Sequence, residues 1–187
     1  MLRLSVSAEC EQRRRVLAAL TAMPVNEEQG DAYLREIVLP CDVLDEGLAE
    51  ILVPIYVKLV SLGVHEVEVG IDPGTRCGIV VAAGERIVGA YTVPSELLPR
   101  LLSVLSNHFG VRIYLGSAAP REILPSSVAD VVLVDERQLP LVKHEGLRLN
   151  RHALDALRIL VKGRLQAASA ALNEAARTRG AEHLPRM

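Results

Sequence analysis

Asp72 stands at the end of an apolar, largely β-branched run, Val67-Glu68-Val69-Gly70-Ile71-Asp72, and Pro73-Gly74 follows it at once. Pro73 removes a ladder donor and Gly74 lets the chain turn sharply, so the carboxylate is expected at a sheet edge on a rigid support. The same residues also make an ordinary turn, since Asp starts turns and Pro and Gly fill their central positions. A second acidic position follows the strand-like Val131-Val132-Leu133-Val134, which runs into Asp135-Glu136-Arg137. Successive side chains leave a strand on opposite faces, so one of Asp135 and Glu136 is expected to face Asp72, and the sequence does not say which. The third is Asp155 in Arg151-His152-Ala153-Leu154-Asp155-Ala156-Leu157-Arg158, on the apolar side of a helix that His152 shares one turn earlier. A carboxylate on such a face needs compensation, and a bound cation supplies it. Asp72, Asp135, Glu136 and Asp155 are therefore candidate catalytic acids, and together with His152 they are candidate metal ligands. Oxygen donors suit Mg²⁺ or Mn²⁺, and one imidazole moves the preference towards Mn²⁺. Arg76, Arg137, Arg151 and Arg158 lie near these acids in the chain and are candidates for contact with substrate phosphates.

The elements that must position these residues follow from periodicity. Apolar positions over 11–23 repeat at helical spacing before Pro24, and Pro40 breaks the segment 33–39. With Asp42 or Asp45 as cap, a mostly apolar helix is expected to close at Gly63. From Glu66 the period changes to that of strands, giving three antiparallel ones at roughly 66–72, 77–83 and 86–93, separated by Pro73-Gly74 and Ala83-Gly84. Ser95 is read as capping a helix with Leu97, Leu98, Leu101, Leu102, Val104 and Leu105 on its apolar face. Short buried strands at 111–115 and 131–134 flank a brief helix or loop over 120–127, and a long helix runs from an Asn150 cap to about Arg179. Three meandering strands followed by parallel strands with helical crossovers make a mixed α/β sheet, and the leading topology is RNase H-like. The division expected is an N-terminal helical extension over 1–64 and an RNase H-like domain over 65–187.

Composition narrows the function classes. At 187 residues and 50% hydrophobic content, one substantial core with an appendage is the expectation. The longest apolar stretch, 51–64, is interrupted by Pro54 and Lys58, and Glu9, Glu11 and Arg13-Arg14-Arg15 preclude a signal-peptide core near the start. A cytoplasmic protein without membrane association is expected. Cys10, Cys41 and Cys77 lack metal-ligand spacing and read as free buried thiols, although Cys10 and Cys41 could pair in a hyperthermophilic source. Residues 136–187 carry ten Lys/Arg against five Asp/Glu, a balance suited to phosphates or to a solvated helix face. With one Phe, four Tyr and no Trp, recognition by base stacking is expected to contribute little. The Gly70–Gly78 stretch lacks the Gly-Lys-Ser/Thr ending of a P-loop, and the chain is too short for an actin-like ATPase.

Four segments in order, Gly-Ile-Asp-Pro-Gly-Thr-Arg-Cys-Gly (70–78), Ile-Tyr-Leu-Gly-Ser (113–117), Val-Asp-Glu-Arg (134–137) and His-Ala-Leu-Asp-Ala-Leu (152–157), resemble the RuvC/YqgF group of Holliday-junction resolvases. The resemblance spans roughly residues 66–165. It implies that Asp72 is the first-strand aspartate that bridges metal ions and that Asp155 is the last-helix aspartate. It also implies that His152 is the histidine some members place one turn earlier, and that Asp135-Glu136-Arg137 is the acidic motif of the YqgF branch. Where RuvC-type enzymes carry a glutamate after the fourth strand, this chain has Gly116 and Ser117. YqgF-type proteins also have glycine there, so the departure selects that branch and tells against RuvC-like junction cleavage. The expectation is a two-metal hydrolase of phosphodiesters in structured DNA or RNA, working as a homodimer by analogy. The competing expectation is a catalytically inactive RNase H-like module that binds nucleic acid or a protein partner.

Overall fold

The computed structural model describes residues 2–7, 10, 35–117, 124–142 and 149–181. The helix expected over 11–23, much of the 120–127 segment, and the basic residues Lys143 and Arg148 lie outside the described residues.

Strands β1 (Leu2–Val6) and β2 (Arg35–Leu39) form a small parallel sheet with Val6 opposite Leu39. Neither was foreseen as a strand in an extension expected to be helical, yet the alternation of β2 is plain: Ile37 and Leu39 are buried while Glu36 and Val38 are exposed. The parallel register also brings together the two chain segments leaving these strands, and Cys10 is bonded to Cys41 with Cα atoms 5.2 Å apart. That corrects the expectation of free thiols, which holds only for Cys77. No local spacing could have shown the pair, because it depends on how two distant strands align.

Helix α1 (Ala49–Ser61) follows, and its chain reverses through Gly63 at φ 65°, the left-handed conformation expected of a helix-closing glycine. Neither Asp42 nor Asp45 caps it through a side chain, contrary to expectation. Both carboxylates reach instead to helix α2 (Leu98–His108): Asp42 accepts from Asn107 Nδ2 at 3.2 Å and lies 2.8 Å from His108 Nε2, and Asp45 pairs with Arg100. Ser95 likewise caps nothing with its hydroxyl, because a turn of 3₁₀ helix over Ser95–Leu97 leads into α2.

The main sheet contains β3 (Glu66–Asp72), β4 (Arg76–Ala83), β5 (Arg86–Pro94), β6 (Gly110–Gly116) and β7 (Asp130–Val134), in the spatial order β5-β4-β3-β6-β7. β3, β4 and β5 are antiparallel neighbours, whereas β6 and β7 run parallel to β3. This five-stranded mixed sheet, with β3 at its centre, is the RNase H-like architecture. Val67, Val69 and Ile71 of β3 and Cys77, Ile79 and Val81 of β4 point into a core shared with α1 and α2. Val80 and Ala82 point the other way, into a smaller core with Tyr114 and the long helix α3 (Arg151–Ala181). The alternation of strand side chains thus yields three layers, with the sheet between α1 and α2 on one face and α3 on the other. No helix among the described residues is long and apolar enough to cross a membrane.

Candidate functional site at the acidic sheet edge

The N-terminus of α3 is fixed by Asn150, whose Oδ1 accepts from the Ala153 amide at 3.0 Å and from the Thr92 hydroxyl at 2.9 Å. Three glycines then let the helix approach the sheet at backbone distance. A Cβ on Gly78 would strike the His152 carbonyl and lie 3.0 Å from Ala153 N, and one on Gly70 would strike the Ala156 carbonyl and lie 2.8 Å from Leu160 Cβ. Across the contact, Gly163 of α3 leaves room for the ring of Tyr114, with Cγ 2.8 Å from where a Cβ would stand. Ala153 and Ala156 are buried against the same face. The glycines at 70 and 78 therefore serve as a seat for α3. Glycine inside a strand pattern is the signal that points to such an approach.

The seat places His152 directly over the end of β3, with Nδ1 3.2 Å from Asp72 Oδ2. The Asp72 side chain is 15% exposed, and burial pushes its carboxyl above the usual carboxylate range. The hydrogen bond from His152 acts in the opposite direction, while the nearby negative charges of Asp155 and Glu136 raise it further. Three of the four expected acids therefore share one electrostatic neighbourhood.

Of the adjacent pair, Glu136 is the one that turns inward. Its carboxylate occupies the space above Gly116 where a Cβ would otherwise stand, beside Pro73, whose Cδ is 2.8 Å from that position. Asp135 turns outward and binds Arg137, accepting from the Arg137 amide at 2.9 Å and from its Nε at 3.1 Å. Those hydrogen bonds hold the Asp135 carboxyl below the usual range. The turn that separates the two acids is fixed from behind by Lys162, which donates to the carbonyls of Asp135, at 2.7 Å, and Arg137. At its end Gln138 adopts φ 56°, the only positive φ outside glycine among the described residues. Lys162 was read from the sequence only as a basic residue, and no spacing reveals its role across 25 positions to Arg137.

Asp155 is 24% exposed and lies 2.9 Å from Arg158 Nη1, with Arg151 Nε at 3.9 Å. It is thus compensated by arginines of its own helix, an i,i+3 and an i,i+4 pair. Arg158 was expected to meet phosphate; its guanidinium is turned to Asp155, and its Nε is buried without a hydrogen-bond partner. Of the other three arginines, Arg76 is exposed at the start of β4, and Arg137 and Arg151 are 90% and 92% exposed. An open cavity of about 690 Å³, lined by Ser117, Asp135, Glu136 and Arg137, lies at the carboxyl ends of β6 and β7.

Mg²⁺ or Mn²⁺ would require several open oxygens converging on one point. Here Asp72 is held by His152, Asp155 by Arg158 and Asp135 by Arg137, and no group of three or more His, Cys, Asp or Glu among the described residues is arranged to hold a metal ion. Comparison with protein-family models, with curated proteins and with solved structures finds no match to this chain.

Proposed function

We propose that this chain is a catalytically silent RNase H-like module that holds the backbone of structured nucleic acid at its acidic sheet edge without cutting it. One observation carries the reading: Asp155, which a hydrolytic centre needs as a free ligand, is spent on Arg158 and Arg151. Arg137 and Arg151 lie against Asp135 and Asp155 yet keep 90% and 92% of their side chains exposed, and with exposed Arg76 they put guanidinium surface around the rim of the edge. Phosphate contact by arginine needs no aromatic platform, and the four residues lining the cavity include none. The test is a fluorescence-anisotropy titration with branched DNA, single-stranded DNA and structured RNA over a range of salt. Binding should weaken steeply with salt, and the R137A/R151A double variant should bind more weakly with a log–log salt slope shallower by about 2. Salt-independent binding, or none, would contradict the proposal.

A second reading has one observation in its favour. Asp72, Glu136 and Asp155 are close enough for their charges to act on Asp72, as the resemblance to the RuvC/YqgF resolvases implies. Metal-dependent hydrolysis would first require the Asp72–His152 and Asp155–Arg158 pairs to part. Cleavage abolished by Asp72→Asn would favour it.

A further inference from the structure

We infer that the cavity where α1 and α2 end is a binding site for a methylated ammonium head, a compact organic cation of the choline or methyl-lysine type. It lies at the start of β3, roughly 20 Å along the strand from Asp72, and is independent of what the acidic edge does. The cavity measures about 180 Å³, below the roughly 300 Å³ at which pockets for drug-sized ligands begin, so it suits one small head group. Its walls name the chemistry. Tyr56, His65, His108 and Phe109 line it beside Val60 and Val64, in a chain with one Phe, four Tyr and no Trp. Three of these rings are steeply inclined to one another: Tyr56 meets His108 at 82° and Phe109 at 61°, and His108 meets Phe109 at 67°, with centroids 5.4, 5.7 and 6.4 Å apart. Rings set in this way form a corner in which a cation meets more than one π system. Tyr56 and His108 remain half-buried, so their packing on each other leaves the corner open.

The charges around the corner favour a positive guest. Both helices reach it with their C-terminal ends, where the macrodipole leaves partial negative charge. Behind His108 stands Asp42, 2.8 Å from Nε2. Burial works against ionisation of Asp42, but hydrogen bonds from His108 and Asn107 prevail and hold its carboxyl below the usual carboxylate range. Its charge reaches the cavity wall, since burial and then Asp42 push the Tyr56 phenol above its usual range. Among the described residues no Lys or Arg lines the cavity, and Lys58, in the last turn of α1, is turned to the carbonyls of Ile87 and Val88, at 3.3 and 3.4 Å. An anion would face two helix C-termini with only imidazoles to pair with. No carboxylate lines the cavity directly, so an unmodified ammonium would leave its N–H donors short of acceptors. A methylated head has few or none to satisfy and offers methyl groups to Val60, Val64 and the rings.

The experiment is an NMR titration of the full chain at neutral pH with choline, up to about 20 mM, beside its uncharged analogue in which a tert-butyl group replaces the trimethylammonium. Choline should shift the amides of residues 56–65 and 105–110 and leave those of 134–137 in place, and the uncharged analogue should bind about tenfold more weakly. Tyr56→Leu keeps the bulk and removes a ring, and should weaken choline binding about tenfold, whereas Tyr56→Phe should bind as the wild type does. Equal affinity of the wild type for choline and for the uncharged analogue, or no shift at these amides, would overturn the inference whether or not the variants fold. A trimethyllysine peptide added in a third arm identifies the source of the head. Tighter binding than choline would place it on a protein chain, and equal binding would place it on a free small cation; both results support the site.

Discussion

Asp72 is the residue at which the electrostatics of the edge are most sharply posed. Burial and two neighbouring acids raise its pKa against the single favourable contact from His152. The folded state therefore holds the Asp72 proton more firmly than the unfolded chain does. Between the ordinary value of 3.8 and the raised one, stability falls as pH rises, and above that window the cost of the ionised carboxylate is fully present. Asp72→Asn should consequently raise the melting temperature at neutral pH, with the gain shrinking towards pH 4; melts from pH 4 to pH 8 measure it. A variant less stable than wild type at pH 7 would mean that the hydrogen bond to His152 outweighs burial and repulsion. That Asp72, Asp155 and one of Asp135 and Glu136 would lie near one another was legible in the sequence, and Glu136 is the one whose charge acts on Asp72. Their pairing was not legible. Helical spacing put His152 and Asp155 on one face, but the first engages Asp72 at the sheet edge and the second Arg158 one turn along its own helix.

Among the elements, β3, β4 and β5 lie within a residue of where β-branched periodicity and the Pro-Gly and Ala-Gly breaks put them. Those signals are local, as is the Asn150 cap of α3. What was misread depends on partners far away in the chain: Asp42 and Asp45 are drawn to α2, and β1 and β2 define each other. The glycine seat can be tested at this scale. Gly78→Ala forces a Cβ into the backbone of α3 and should cost about 3 kcal/mol in urea unfolding, near the upper end for overpacking. Gly84→Ala meets nothing within 4 Å and should cost only about 1 kcal/mol, for its φ of 55°. Equal costs would remove the case for a seat. The Cys10–Cys41 bond joins positions 31 apart, which by loop entropy is worth about 3.5 kcal/mol. Unfolding in urea with and without a dithiol should show a loss of that order, with earlier amide exchange in β1 and β2.

For the whole molecule, a three-layer α/β fold brings the ends of β3, β6 and β7 and the start of α3 to one edge, where Asp72, Asp155 and Asp135 each lie against a nitrogen-bearing side chain of the same chain. The RNase H-like architecture was legible because the order of strands and helices admits few topologies. Whether its edge still cuts was not, since that depends on which charge each acid meets. The central claim is that Asp72 is already occupied by His152, Asp155 by Arg158 and Arg151, and Asp135 by Arg137. Its most direct test is incubation of the full chain with end-labelled branched DNA, single-stranded DNA and structured RNA in Mg²⁺ and in Mn²⁺, beside Asp72→Asn. The expected result is substrate that is bound and recovered intact with both proteins, whereas product formed by the wild type and lost in Asp72→Asn would contradict the account.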